Sequence, residues 1–291
     1  MLASTPAQKL RDRLDQPGLE IAPGCYDALS ASLIASAGFN VAFMSGFAVS
    51  GARLGFPDTA LISFAEMLDT LRNCCTAADK VAVIGDGDTG YGNALNVQRT
   101  VIDYARAGAA CVMIEDQVSP KKCGHTRNKQ VVSRGEARMR IRAAVDARAE
   151  HDILVMARTD ARAVHGFEDA LERCFEFEAE GADLIFLEAP ESEIEMRKFC
   201  EAIKTPCVAN IVPGGKTPVF SPRILSEIGF KLALYPVALF SASIAAMKAK
   251  VAGIRNNPDL PLTVEIPFSE LQQVVGFPEY WEREEKYRSK D

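Results

Sequence analysis

Eight short apolar runs alternate with helical segments along most of the chain, and six of them are followed, directly or after one glycine, by a polar or charged residue. The runs are nearly continuous in apolar character, as expected for strands buried on both faces of a parallel sheet. They are Glu20–Pro23, Val41–Met44, Val81–Ile84, Cys111–Ile114, Ile153–Ala157, Leu184–Leu187, Cys207–Ala209 and Leu232–Tyr235. Amphipathic helices are predicted between them, including Phe64–Asp79, Val97–Ala107, Arg134–Ala149, Phe167–Glu180 and Glu193–Ile203. Eight strands that alternate with helices predict an α/β fold, a (β/α)8 TIM barrel.

The pattern predicts a barrel over residues 1–255 and a C-terminal helical tail over residues 256–291. A barrel of roughly 250 residues commonly folds as one domain. The tail begins with Pro258 and Pro261 and ends in a charged, helix-like segment around Trp281. Before it, the apolar helix predicted at Val237–Ile254 needs another surface to cover it.

Composition and charge exclude several classes of protein. The 33 basic and 39 acidic side chains give a net charge of −6, which offers no basic surface for a nucleic acid. The longest uncharged apolar run, Leu232–Met247, contains Pro236 and is shorter than the roughly 20 residues that cross a bilayer, so no membrane span is expected. The N-terminus lacks the pattern of a secretory signal. We therefore expect a cytoplasmic protein with a small-molecule partner.

Polar side chains follow six of the predicted strands, at the end of the barrel where TIM-barrel enzymes build their active sites. They are Ser45 and Gly46, Asp86 and Asp88, Glu115 and Asp116, Arg158 and Asp160, Glu188, and Asn210. Any one of them can equally cap a helix. Together they would face one cavity, where uncompensated carboxylates repel each other. A bound cation is therefore expected, Mg²⁺ or Mn²⁺ rather than zinc, unless lysines pair with the acids instead.

The segment from Gln117 to Arg134 is long, polar and basic, and it is predicted to be a lid over the mouth of the barrel. Within it, Cys123 follows Lys121 and Lys122 and precedes His125 by two residues. Such surroundings lower the pKa of a thiol, so Cys123 is a candidate reactive group. An anion-binding loop with an incidental cysteine is the alternative. The other seven cysteines lie mostly in apolar segments and are interpreted as core thiols.

Four motifs make the chain similar to the isocitrate lyase / phosphoenolpyruvate mutase superfamily. They are Gly85–Asn93, Ile114–Gln117, Lys121–His125 and Ala157–Ala161. The resemblance covers most of the chain, from Gly24 to Pro236. The Lys-Lys-Cys-Gly-His motif resembles the carbon–carbon lyase branches, and carboxyphosphonoenolpyruvate mutases share it.

The resemblance implies a role for each site residue. The residues implied to hold Mg²⁺, or possibly Mn²⁺, directly or through water, are Asp86, Asp88, Asp58 and Glu115. The implied catalytic residues are Cys123, as the proton donor, with His125 and Arg158. The implied substrate-binding residues are Ser45, Gly46, Phe47, Gly124, Arg158, Glu188 and Asn210. The resemblance further implies a homotetramer in which the eighth barrel helix is exchanged between subunits.

Departures from the family pattern indicate the branch. Methylisocitrate lyases resemble this chain but carry a glycine and an arginine at the positions of Phe47 and Ser241. Without that arginine, the third carboxylate of a tricarboxylate would lie unpaired in a narrowed pocket, at a cost of several kcal/mol. The chain is more similar to 2,3-dimethylmalate lyases and to 2-alkylmalate lyases of the petal-death type. The resemblance therefore implies cleavage of a 2-alkylmalate, a small dicarboxylate, to a 2-oxoacid such as pyruvate and a short carboxylate.

Other readings of the sequence stay open. These are a methylisocitrate lyase with another way to bind the third carboxylate, a carboxyphosphonoenolpyruvate (carboxyvinyl-carboxyphosphonate) phosphorylmutase or oxaloacetate decarboxylase, and a non-catalytic binding barrel. Pro236 disfavours hydrolysis of oxaloacetate, because the acetylhydrolases of the family carry Ser or Thr there. Phe43 stands where some relatives have Tyr, so the catalytic base is unassigned.

Overall fold

The computed structural model describes residues 4–123, 129–256 and 265–288. Eight parallel strands pair in chain order and close into a barrel, with the first strand against the last. They are β1 (Glu20–Cys25), β2 (Val41–Met44), β3 (Ala82–Asp86), β4 (Cys111–Glu115), β5 (Leu154–Thr159), β6 (Leu184–Leu187), β7 (Cys207–Asn210) and β8 (Leu232–Tyr235). The prediction of a (β/α)8 TIM barrel is confirmed.

Helices fill the connections between the strands and continue beyond β8. They are α1 (Pro6–Leu14), α2 (Ala28–Ser36), α3 (Gly46–Leu54), α4 (Phe64–Ala77), α5 (Ala94–Arg106), α6 (Arg134–Arg148), α7 (Arg162–His165), α8 (Phe167–Ala179), α9 (Glu193–Ala202), α10 (Pro222–Ile228), α11 (Ala238–Asn256), α12 (Phe268–Val274) and α13 (Phe277–Lys286). Helix α4 shows why they form: Ser63 and Glu66 make a capping box at its start, and Met67, Leu71 and Cys74 recur on its buried face.

Strands β3, β4 and β5 run one or two residues further than the apolar pattern predicted. Their last residues are polar, yet their backbones still pair with the next strand: Asp86 with Met113, Glu115 with Arg158, and Thr159 with Leu187. The apolar runs indicate only which side chains are buried in the core. The backbone hydrogen bonds between the strands continue further, to the polar carboxyl end of the barrel. The candidate site residues are therefore held by the barrel itself.

Helix α1 packs under the barrel. Its residues Ala7, Leu10 and Leu14 are buried in the same cluster as Ile84 and Met113 of the strands. Apolar side chains thus fill the N-terminal end of the barrel interior, and the polar residues collect at the carboxyl end.

The chain forms two compact units, residues 1–241 and 242–291. The first contains the barrel. The second begins within α11 and contains α12 and α13, and no residue of these three helices is buried. The boundary that the sequence predicts at residue 255 lies further along the chain and stays a prediction. Among the described residues, no helix is long and apolar enough to cross a bilayer.

None of the eight cysteines, all of which lie among the described residues, forms a disulfide. Five of them are buried, Cys75 and Cys200 are partly buried in the barrel wall, and Cys123 is partly buried at the mouth. Five of the seven thiols interpreted as core thiols are thus buried, and Cys75 and Cys200 are partly buried and pack against the core.

Candidate active site

The carboxyl ends of the strands surround a cavity of about 310 Å³. Predicted site residues that line it are Ser45, Phe47, Asp58, Asp86, Glu115, Cys123, Arg158, Glu188 and Asn210. Asp88 and Gly46 are not part of the lining, and both hydrogen-bond to Asp86 through their backbone N–H groups. The two remaining predicted residues, Gly124 and His125, lie outside the described residues. The described part of the predicted site therefore converges on one place.

Asp86 is fixed at the end of β3 by its neighbours. The hydroxyl of Tyr104 donates to its backbone carbonyl at 2.9 Å, and the backbone N–H groups of Gly46 and Asp88 each donate to its carboxylate at 3.1 Å. A Cβ on Gly46 would lie 2.6 Å from Asp86 Oδ2, so only glycine permits this approach. Gly46, expected to contact the substrate carboxylate, thus contacts a candidate metal ligand.

Asp88 lies in the turn that follows β3 and has a left-handed backbone, with φ at 48°. Aspartate tolerates this region better than most residues, and such conformations concentrate at functional sites. The turn brings its carboxylate toward Asp58 and Lys121. The local backbone is therefore shaped to hold the carboxylate inward, where it is buried.

Lys121 is the residue of this region that sequence reasoning missed as a site group. Its Nζ lies 2.5 Å from Asp58 Oδ1 and 2.9 Å from Asp88 Oδ1, and its side chain is only 5% exposed. The sequence leaves two alternatives for the acids, a bound cation or pairing with lysines, and in the structure Asp58 and Asp88 are paired with a lysine. The fold of a long loop can place a lysine ammonium beside the strand ends, and the sequence patterns that predict strands and helices do not indicate such a contact.

We call Asp58, Asp86, Asp88 and Glu115 the cation-poor cluster. Lys121 contacts two of its members, and Arg158 reaches Glu115 at 3.3 Å. Burial, reinforced by the charges of Asp86 and Asp58, raises the pKa of Asp88 to about 7 even though Lys121 opposes this. Burial also raises the pKa of Glu115 well above its usual value. Four carboxylates thus share too little positive charge.

A hard divalent cation fits this cluster chemically. Its members offer only carboxylate oxygens. Asp58 Oδ1 and Asp88 Oδ1 share the single ammonium of Lys121, and the buried Glu115 Oε1 accepts no hydrogen bond from the described residues. Within residues 4–123, 129–256 and 265–288, however, no three acidic, His or Cys side chains are set close enough to hold a metal. The ammonium of Lys121 occupies the space between Asp58 and Asp88, so a metal ion would have to take its place.

Arg158, at the end of β5, is held on three sides. Its Nε and Nη2 donate to the carboxylate of Asp160 at 2.9 and 3.1 Å. Nη2 also lies 3.1 Å from Glu188 Oε2, and the guanidinium carbon lies 5.1 Å from the centre of the Phe186 ring. Its charge and orientation suit a carboxylate ligand.

We call Asp116 and Asp160 the cation-rich cluster, because Lys129, Arg158 and Arg173 surround these two buried acids. Lys129 Nζ lies 2.6 Å from Asp160 Oδ1, and Arg173 Nη1 lies 3.2 Å from Asp116 Oδ2. Although burial opposes it, Arg158 and Lys129 hold the pKa of Asp160 far below its usual value. Burial and the charge of Asp160 raise the pKa of Asp116. Asp160 is therefore the firmly ionised member.

Cys123 and the Glu188–Asn210 pair complete the polar wall. The backbone N–H of Cys123 donates to the carbonyl of Asp58 at 3.2 Å. Asn210 Nδ2 donates to Glu188 Oε2 at 3.2 Å. The preceding Lys122 is anchored by the side chain of Gln117, which binds its N–H at 3.0 Å and its carbonyl at 2.8 Å. The thiol residue is thus held at the mouth beside the cation-poor cluster.

The remaining wall of the cavity is apolar. It consists of Phe43, Phe47, Phe186, Val212, Pro213, Leu234, Pro236 and Val237. Phe47 packs edge-on against Phe240 with ring centres 6.3 Å apart, and Phe240 in turn packs against Tyr26 at 5.3 Å. Of the described residues that line the cavity, Arg158 is the only arginine. The cavity therefore combines one polar, charged side with one apolar side.

Comparison with known sequences gives consistent relatives. The family model for phosphoenolpyruvate phosphomutase matches residues 10–255. A 2,3-dimethylmalate lyase of Eubacterium barkeri is 39% identical over 97% of this chain and 98% of its own length. A chloroplastic carboxyvinyl-carboxyphosphonate phosphorylmutase of Arabidopsis thaliana is 39% identical over 94% of this chain and 82% of its own length. A 2-methylisocitrate lyase of Aeropyrum pernix is 39% identical over 96% of this chain and 90% of its own length.

Solved structures agree with this result. A crystal structure of 2,3-dimethylmalate lyase, described as a PEP mutase/isocitrate lyase superfamily member, superposes with a TM-score of 0.93 at 34% identity, covering 98% of this chain and 96% of that chain. Oxaloacetate acetylhydrolase with 3,3-difluorooxalacetate gives 0.93 at 32%, covering 97% of both. Phosphonopyruvate hydrolase in complex with oxalate and Mg²⁺ gives 0.86 at 29%, covering 97% and 99%.

Proposed function

The chain belongs to the PEP mutase/isocitrate lyase superfamily and is an enzyme of its lyase and mutase group, and we propose that it is a Mg²⁺-dependent carbon–carbon lyase. Its proposed substrate is a 2-hydroxydicarboxylate with an alkyl substituent, a 2-alkylmalate such as 2,3-dimethylmalate. The proposed products are a 2-oxoacid such as pyruvate and a short carboxylate.

One observation carries the choice of substrate. The cavity has a broad apolar wall. Its described lining includes one arginine, Arg158, and two lysines, of which Lys121 is already paired with Asp58 and Asp88. An alkyl group gains free energy against such a wall, whereas a third carboxylate would lose its hydration without gaining an arginine. Phe47 lines the cavity and packs edge-on against Phe240, so its ring fills space that a glycine at this position would leave open to a larger substrate. A dicarboxylate with alkyl substituents matches this cavity better than a tricarboxylate.

Cleavage between C2 and C3 requires the loss of the C2 hydroxyl proton and the gain of a proton at C3. The electron pair of the broken bond stays with the fragment that contains C3, and C3 is then protonated. A bound Mg²⁺ at the cation-poor cluster would polarise the oxygen that becomes the keto group. We propose that Arg158 and Ser45 bind the carboxylate beside C2 and that Cys123 delivers the proton to C3. Glu188 and Asn210 would contact the other end of the substrate.

We propose that the enzyme acts as a homotetramer. The support lies in the helices after β8: α11, α12 and α13 have no buried residue, and they expose large apolar side chains such as Met247, Val251, Phe268 and Trp281. Helices with no buried residue and many exposed large apolar side chains usually contact another protein. A second copy of the chain that exchanges this segment would cover it.

The experiment compares 2-hydroxydicarboxylates by the release of 2-oxoacid with Mg²⁺ present, and uses EDTA as a control. We expect kcat/KM to favour 2-alkylmalates over methylisocitrate by roughly 30-fold to several thousand-fold, the equivalent of about 2 to 5 kcal/mol for one unpaired charge. EDTA should abolish turnover. If methylisocitrate is the better substrate, the branch is wrong; if no substrate releases a 2-oxoacid, the lyase proposal fails.

A double variant tests the reason for that preference. Phe47→Gly combined with Ser241→Arg introduces the glycine and the arginine that the family resemblance implies for methylisocitrate lyases at these positions. The ratio of kcat/KM for methylisocitrate over a 2-alkylmalate should rise in this variant. Phe47→Leu, which keeps an apolar side chain without adding a cation, is the matched control. An unchanged ratio would show that the two positions do not read the third carboxylate.

A further inference from the structure

We propose that Asp160 is a positioning residue that fixes the guanidinium of Arg158 for carboxylate binding, with Lys129 as the third member of the arrangement. This inference rests on the proposed role of Arg158 in substrate binding. It concerns residues behind the cavity wall, because neither Asp160 nor Lys129 lines the cavity. Both are buried, and Asp160 has no exposed surface.

The first argument is the geometry of the Arg158–Asp160 contact. Both oxygens of Asp160 accept hydrogen bonds from one edge of the guanidinium, at 2.9 and 3.1 Å. A bidentate contact of this kind fixes the rotation of the guanidinium within its plane. The Phe186 ring, 5.1 Å from the guanidinium carbon, limits the tilt of that plane. Together they determine where the remaining N–H groups of Arg158 point.

The second argument is competition between carboxylates. Glu115 lies 3.3 Å from Nε of Arg158 and Glu188 lies 3.1 Å from Nη2, the same two nitrogens that donate to Asp160. Asp160 accepts a hydrogen bond from each of the two nitrogens, whereas the ion pairs of Glu115 and Glu188 join one nitrogen each. Without Asp160, the guanidinium could turn fully toward either glutamate. The bidentate partner therefore decides between alternative positions of the same positive charge.

The third argument is that Asp160 is itself held from two directions. Its backbone N–H donates to Asp116 Oδ1 at 2.9 Å. Its side chain accepts from Lys129 Nζ at 2.6 Å. Lys129 belongs to the segment from Gln117 to Arg134 that also contains Lys121 and Cys123. Asp160 therefore links the arginine at the end of β5 to Lys129 of that segment.

A simple charge effect and a positioning effect predict opposite results for Asp160→Asn. Removal of a negative charge near Arg158 would by itself strengthen the binding of an anion. Loss of orientation would weaken it, because the Asn amide cannot accept from both N–H groups. We use oxalate with Mg²⁺ as the probe and measure its affinity by calorimetry. Positioning predicts binding about 10- to 100-fold weaker, with KM raised more than kcat is lowered.

The matched control is Asp183→Asn. Asp183 also pairs with an arginine, Arg148, and accepts a backbone N–H, that of Val155 at 2.8 Å. It precedes β6 and so lies at the opposite end of the barrel. This variant should lower the thermal unfolding midpoint while it leaves the oxalate affinity within about twofold. A general loss of stability is thereby separated from a loss of orientation.

Two further variants keep the test decisive. If Asp160→Asn does not fold, Asp160→Asn with Lys129→Met removes one negative and one positive charge together and should show the same loss of oxalate binding. Arg158→Met tests the premise: if it binds oxalate as the unaltered protein does, the proposed role of Arg158 fails. If Arg158→Met loses binding while Asp160→Asn retains or gains it, the positioning role of Asp160 is wrong and the role of Arg158 stands.

Discussion

Asp88 and Asp160 are both buried aspartates at the carboxyl end of the barrel, yet their surroundings shift their pKa values in opposite directions. Asp88 shares the ammonium of Lys121 with Asp58 and lies near Asp86, so its pKa rises to about 7. Asp160 accepts from Lys129 and twice from Arg158, and its pKa falls far below the usual value. The number of cations per carboxylate, rather than burial, separates them.

The difference assigns different tasks to the two clusters. An acid cluster with too little positive charge stabilises an added cation. A cluster whose acids are satisfied by lysine and arginine holds side chains in place and has no need of a metal. We therefore propose that the cation-poor cluster binds the cation and that the cation-rich cluster orients the proposed substrate-binding arginine.

The largest effect is expected for Cys123, which lies beside the cation-poor cluster. Serine keeps the size of the side chain but raises its pKa far beyond the working range, so Cys123→Ser should lower kcat by about 10²- to 10⁴-fold. Oxalate affinity with Mg²⁺, measured by calorimetry, should change little, in contrast to Asp160→Asn. Cys25→Ala and Cys207→Ala are controls. A Cys123→Ser enzyme that retains most of its kcat would remove Cys123 as the proton donor.

A smaller effect, of the opposite sign for binding, is expected for Lys121. Because its ammonium occupies the space between Asp58 and Asp88, Lys121→Met should strengthen Mn²⁺ binding by about tenfold, the equivalent of about 1.4 kcal/mol. Electron paramagnetic resonance of free Mn²⁺ measures this directly. Lys129→Met removes an ammonium from the cation-rich cluster and should leave Mn²⁺ affinity within about twofold. Equal affinities in all three proteins would show that Lys121 and the metal do not compete.

The smallest effect concerns pH. The folded pKa of Asp88 exceeds its usual value of 3.8, so the neutral form stabilises the metal-free fold, and this stabilisation is lost as pH rises through about 7. The pKa of Asp160 is shifted downward, so its contribution is constant across that range. The rise in unfolding midpoint on addition of Mg²⁺ should therefore grow as pH passes about 7. A Mg²⁺ effect that is constant or shrinks with pH would contradict the assignment for Asp88.

The sequence predicts the barrel well, because parallel strands buried on both faces leave continuous apolar runs. It also places the acids at the strand ends, since Glu115 follows such a run directly and Asp86 follows one after a single glycine. It does not predict that Lys121 pairs with Asp58 and Asp88, because the path of a long loop depends on tertiary contacts. The Arg158–Asp160 pair did leave a signal: residues two apart at a strand end lie on the same face.

Direct titration of Mn²⁺ into the metal-free protein, into Asp88→Asn and into Asp160→Asn tests the central claim most directly, namely that the cation-poor cluster binds a divalent cation and the cation-rich cluster does not. The two variants make the same change, from a carboxylate side chain to an amide, at two buried aspartates at the same end of the barrel. We predict one Mn²⁺ bound per chain in the unaltered protein, at least about 100-fold weaker binding in Asp88→Asn, and affinity within about threefold in Asp160→Asn. No Mn²⁺ binding by the unaltered protein, or an equal loss in both variants, would contradict the account.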